Sequence, residues 1–114
     1  MNLFKEGFEA ARLVVKCGFL LHAEGKFNDN DLLDLTILQY QEVFDFLNKV
    51  GYNFFNPSNK PMQYEIGYYE GMADFFAVVD LYVKGHINYG NVCVILSMSS
   101  KEIYNYLKSV GVQY

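Results

Sequence analysis

A chain of 114 residues, half of it apolar and with only two cysteines, is one domain (residues 1–114) with material for a core and no need of a disulfide framework. A net charge of −4 argues against generic affinity for nucleic acid, which grows with the number of phosphates neutralised. The opening MNLFKEGFEAARLVVKCGFLL fails as a signal peptide, because Glu6 and Glu9 stand where basic residues belong and Lys16 splits the apolar run. No apolar stretch approaches the ~20 residues that span a bilayer. The expected setting is the cytoplasm, with Cys17 and Cys93 as two buried, reduced thiols.

Residues 2–24 carry Phe4, Phe8, Ala11, Val15 and Phe19 at helical spacing, with Lys5, Glu9 and Arg12 as a solvated, charge-paired face and Gly25 as a stop. Asp29-Asn30-Asp31 offers a cap for a second helix reaching about Val50. Its apolar seam is Leu33, Ile37, Tyr40, Phe44 and Leu47, and Gly51 ends it. Residues 52–61, YNFFNPSNKP, form the longest loop. Pro61 suits the first turn of a third helix, capped near Ser58 or Asn59 and running to about Lys84. There Tyr68, Met72, Phe75, Val79 and Tyr82 step by four, three, four, three, and Gly67 and Gly71 let a neighbouring helix approach closely. No internal repeat is evident. The class is therefore all-α: a single-domain bundle of three long helices plus a C-terminal pair.

That pair lies in NVCVILSMSSKEIYNYLKSVGV, residues 91–112. Two helices can meet here at a tight corner, with Cys93 as the small crossing residue. Val92 and Leu96 then face inward from the first, Ser97-Met98-Ser99 is the turn, and Ile103, Tyr106 and Leu107 face inward from the second. The alternative is an α+β fold with a short hairpin near residues 86–97, favoured by the β-branched run VCVIL. Residues 81–112 resemble the helix-turn-helix motif of small prokaryotic regulators and antitoxins, with serine at position 97 where that motif commonly has glycine. The resemblance covers the last third of the chain. It implies a recognition surface within residues 89–109 made of Ser100, Lys101, Tyr104, Asn105 and Lys108, in which lysine and serine bind phosphate and asparagine reads adenine. The supply of charge is thin: residues 81–114 hold three lysines against one glutamate, and residues 61–80 hold four carboxylates and no base.

No Gly-rich phosphate loop, nucleophile triad or His/Cys cluster occurs, and no catalytic residue, metal or cofactor is expected. Asp80 pairs with Lys84 four residues on. A site around His22, Glu70 and Asp74 is the remaining enzymatic reading. Ten tyrosines and ten phenylalanines exceed what a small core needs, and aromatic side chains are common interface anchors. Tyr52, Phe54, Phe55, Tyr64, Tyr68 and Tyr69 are the candidate protein-binding residues. The sequence thus reads as a small non-enzymatic regulator or inhibitor, of the kind phages and mobile elements carry, that binds a protein partner or itself as a homodimer. A DNA-binding helix-turn-helix regulator is the alternative.

Overall fold

A computed structural model of the protein describes residues 2–48 and 61–111, without the side chains of Tyr40, Gln41, Phe44 and Ser100. The described residues are helical, with no strand: α1 (Leu3–Ala23), α2 (Asp29–Ile37), α3 (Tyr40–Asn48), α4 (Met62–Val83), α5 (Tyr89–Ile95) and α6 (Ser100–Ser109). The hairpin alternative is overturned, since VCVIL lies mostly within α5. Its β-branched side chains are accommodated because Val92 and Ile95 are fully buried, and tertiary packing outweighs their modest helix propensity.

The single second helix expected over residues 29–50 is two helices. Leu38 is extended (φ −71°, ψ 150°), and the backbone N–H of Gln39 donates to Glu42 Oε1 at 3.2 Å, starting a new helix. The apolar seam drawn through the break holds only in part: Leu47 is buried and Leu33 packs half-buried against the core, while the side chains of Tyr40 and Phe44 are not described. Ile37 is 67 % exposed, and the buried set is Leu32, Leu35, Thr36, Val43 and Leu47. The cap is Asn28, one residue before the run proposed for it: its Oδ1 accepts from Asp31 N, while its own N–H donates to Asp31 Oδ2. Pro61 is itself the residue that precedes α4; Ser58, Asn59 and Gly51 lie outside the described residues.

The chain also contains the internal repeat that its sequence conceals. The second helix of each half begins at residue 29 or 89, and the third at residue 40 or 100, so the halves are displaced by sixty residues without a gap. The local chemistry recurs at the same offset. Gly25 and Gly85 both take positive φ (79° and 80°), and both helix ends close with the Schellman pattern, Lys26 N to Leu21 O and His86 N to Leu81 O, each 2.9 Å. Asn28 with Asp31 and Asn88 with Asn91 form matching capping boxes. Burial follows suit: Phe27 and Ile87, Leu32 and Val92, Leu35 and Ile95, Val43 and Ile103, and Leu47 and Leu107 are core pairs.

The long helices α1 and α4 run parallel and in register, since contacts advance together along both, from Gly7 with Tyr64 through Phe8 with Phe75 to Phe19 with Tyr82. The closest approach is reciprocal. A Cβ on Gly7 would collide with the Tyr64 carbonyl oxygen, and one on Gly67 with the Phe4 carbonyl oxygen, the same contact read from the other half. At Gly71 a Cβ would stand 2.8 Å from the Ala11 methyl. The pair therefore has the pseudo-twofold symmetry of a parallel dimer within one chain. Ala11, Val14, Val15 and Phe19 of α1 and Tyr68, Met72, Phe75 and Val79 of α4 fill the seam below the glycines. Arg12, expected on a solvated face, is 8 % exposed. Its Nη1 donates to Leu96 O at 2.8 Å and its Nε to Glu9 Oε2 at 3.0 Å, while its guanidinium lies 5.4 Å and 5.6 Å from the Phe8 and Phe75 ring centres.

Because the obstruction at both glycines is backbone, it cannot move aside as a side chain would. Gly7→Ala and Gly67→Ala should each destabilise the fold by about 2 kcal/mol or more, and by similar amounts because their surroundings are equivalent. Denaturant unfolding of the two variants checks both points.

Candidate protein-interaction surface

The face of α4 turned away from the core is apolar. Met62, Ile66, Tyr69 and Phe76 are 76 %, 48 %, 43 % and 40 % exposed, and Ala73 between them is exposed as well. Their spacing of four, three, four, three makes a straight stripe about 21 Å long at 1.5 Å per residue. Tyr69 stands edge-on to the buried Tyr68 ring, with centres 5.3 Å apart, which fixes it at the root of the stripe. At the N-terminal end a shallow hollow of about 450 Å³ opens beside Ile66, lined also by Asn2, Leu3, Phe4 and Gln63. The sixty-residue repeat supplies an internal comparison. The matching positions of α1 are Asn2, Glu6, Glu9, Leu13 and Lys16, three of the five charged. The same face of the same fold is thus solvated in one half and apolar in the other.

The sequence-based candidates fall unevenly on this surface. Tyr69 belongs to the stripe, and Tyr64 is half-buried beside the α1 crossing. Tyr68 is corrected from surface to core: it is fully buried, and burial first, then Tyr69 and Tyr64, pushes its hydroxyl pKa upward. It counts among the surplus aromatics by composition, but adjacent helical residues point about 100° apart, so Tyr68 enters the core as Tyr69 leaves it. Tyr52, Phe54 and Phe55 lie outside the described residues. Met62, Ile66, Ala73 and Phe76 were missed. Their signal was a second apolar seam on α4, alongside the seam through Tyr68, Met72, Phe75 and Val79 that does enter the core.

At the other end of the chain, Lys101, Tyr104, Asn105 and Lys108 are exposed along α6. Ser99 caps that helix through a box with Glu102, Val92 and Leu96 face the core, Met98 is half-buried, and Ile103 and Leu107 are buried. Cys93, proposed as the small crossing residue, is exposed instead. The matching residues of α3 are Gln41, Phe44, Asp45 and Asn48, so at these four positions the lysines belong to α6.

The enzymatic grouping does not assemble. His22 Nε2 lies 2.9 Å from Asp29 Oδ1 and its ring packs edge-on to Tyr82, whereas Glu70 and Asp74 stand at least two turns earlier on α4, about 12 Å along its axis. Among the described residues no three His, Cys, Asp or Glu side chains converge as metal ligands, and no helix is long and apolar enough to cross a membrane. Asp80 pairs with Lys84 at 2.9 Å. No family model, curated protein or solved structure matches the chain.

The two thiols differ. Cys17 is buried, and burial raises its pKa, whereas Cys93 is exposed; both are free. A thiol reagent at neutral pH should therefore modify Cys93 in the native protein and reach Cys17 only on unfolding, because the thiolate is the reactive form and Cys17 is denied both ionisation and access. Mass spectrometry of the labelled native chain, which should carry one adduct, checks this.

Proposed function

We propose that this chain is a small, non-enzymatic regulatory or inhibitory protein that acts by binding a protein partner. The observation that carries this reading is the divergence between equivalent faces: Ile66, Tyr69 and Phe76 occupy on α4 the positions that Glu6, Glu9 and Lys16 occupy on α1. Single exposed apolar side chains are ordinary, but a continuous stripe on a helix whose twin is solvated is a surface kept apolar for contact. Tyrosine and phenylalanine supply much of the binding energy at interfaces.

The test places the residues of α1 on α4. An Ile66→Glu/Phe76→Lys variant should retain native stability to within about 0.5 kcal/mol, since these side chains contribute little to the core. It should lose the partner that the native chain retains in a pull-down from its host. Undiminished retention by the folded variant would overturn the proposal.

A second reading, a DNA-binding regulator using residues 89–109, draws on the exposure of Lys101, Tyr104, Asn105 and Lys108 along α6, beyond a short turn from α5. It predicts binding to a mixed-sequence duplex at low salt, weakened at physiological salt and abolished by Lys101→Glu/Lys108→Glu. A fluorescence titration of both proteins at the two salt concentrations decides it; no binding at low salt removes this reading.

A further inference from the structure

We infer that the α4 stripe seats one amphipathic helix of another protein, apolar along one face and rich in lysine or arginine beside it. The inference rests on the protein-binding reading and specifies its partner. The shape argues for a helix. Met62, Ile66, Tyr69, Ala73 and Phe76 form a narrow, straight seam with the four-three alternation that an apolar seam of a second helix matches residue for residue. Ala73 lowers the middle of the seam so that a facing helix can approach, and the hollow between Phe4 and Ile66 can take one large apolar side chain at the end.

Charge selects the partner. Residues 61–80 carry Glu65, Glu70, Asp74 and Asp80 and no lysine or arginine. By the 100° step of the helix, Glu65 and Glu70 lie on opposite sides of the stripe, where the flanking residues of a docked helix would run. Asp80 closes the C-terminal end but is already paired with Lys84. A second copy of this chain would set Glu65 and Glu70 against their own kind, and like charges across a helix seam select against pairing. Basic flanks meet both glutamates favourably, which sets orientation and excludes acidic helices.

The experiment is a display selection on the full chain. The library consists of amphipathic helices with leucine or isoleucine along one seam and a free choice of lysine or glutamate at the flanking positions. Recovered binders should carry lysine at the flanks. Their affinity should fall about tenfold or more for Ile66→Gln/Phe76→Gln, and by several-fold, with a shallower salt dependence, for Glu65→Gln/Glu70→Gln. Binders with acidic flanks, or binders indifferent to the stripe variant, would overturn the inference. So would a concentration-dependent dimer in sedimentation that the stripe variant abolishes, which would make a second copy the occupant. Binding that appears only after Phe54→Ser/Phe55→Ser would make the chain's own link the occupant. An empty selection, with the host partner still lost from the Ile66→Glu/Phe76→Lys variant, would overturn the basic-helix inference and leave the protein-binding reading standing.

Discussion

The backbone-to-backbone contact at Gly7 and Gly67 is the constraint from which the rest of the arrangement follows. Each glycine brings its helix against a carbonyl of the other, Tyr64 in one direction and Phe4 in the other. A glycine in a helix interior costs roughly 1 kcal/mol relative to alanine, and two are spent here at one crossing. What offsets them is proximity: α1 and α4 meet closely enough for Ala11 and Gly71 to touch and for Phe8, Phe75 and Arg12 to stack in the widening space beyond. Once the pair is parallel and in register, the loops at Gly25 and Gly85 leave from the same end. The short helices then follow on related sides, and the outward direction of α4 is fixed.

Pseudo-symmetry of this kind constrains the interior more than the surface. Core positions accept exchange of one apolar side chain for another, as with Val43 and Ile103 or Phe27 and Ile87, because the facing space is equivalent. The exception is instructive. Arg12 and Met72 share a position, yet Arg12 reaches the Leu96 carbonyl at the end of α5, whereas the counterpart of Leu96 is Thr36, whose hydroxyl donates to Leu33 O within its own helix. A methionine cannot donate, so Met72 cannot repeat the bond that Arg12 makes to a backbone carbonyl. The halves are bolted together differently on their two sides, which lets one sequence hold two related but non-interchangeable units.

Much of the fold was legible in the sequence because long helices announce themselves. The spacing of Ala11, Val15 and Phe19, and of Tyr68, Met72, Phe75 and Val79, identifies core faces that the structure buries. The break at Leu38-Gln39 was hidden because an apolar pattern continued across it. The signal was the weak capping pair Gln39 and Glu42, and glutamine is a poor advertisement for a cap. The repeat was hidden because its conserved part is mostly small and conformational: Gly7 with Gly67, Gly25 with Gly85, Asn28 with Asn88. Those residues set crossings, turns and caps, whereas the bulk of the helices is free to differ. Of the candidate surface, Tyr69 lies exposed and Tyr68 buried, since composition counts aromatics without saying which way a helix turns them.

The remaining feature of α4 is that it is apolar on two opposed faces. A helix buried on all sides needs that pattern, but α4 is not such a helix: Tyr68 and Phe75 are fully enclosed, while Met62 and Ile66 meet solvent. Packing against α1, α2 and α5 accounts for the first face, and among the described residues the second remains exposed. The acidic run over residues 61–80, which from composition alone is only a bias in charge, falls on this same helix, with Glu65 and Glu70 to either side of the exposed seam. Carboxylates there keep an apolar stripe hydrated at its edges and discourage it from pairing with another copy of itself. The two properties that separate α4 from α1, added apolar surface and absent positive charge, therefore describe one surface rather than two independent departures from symmetry.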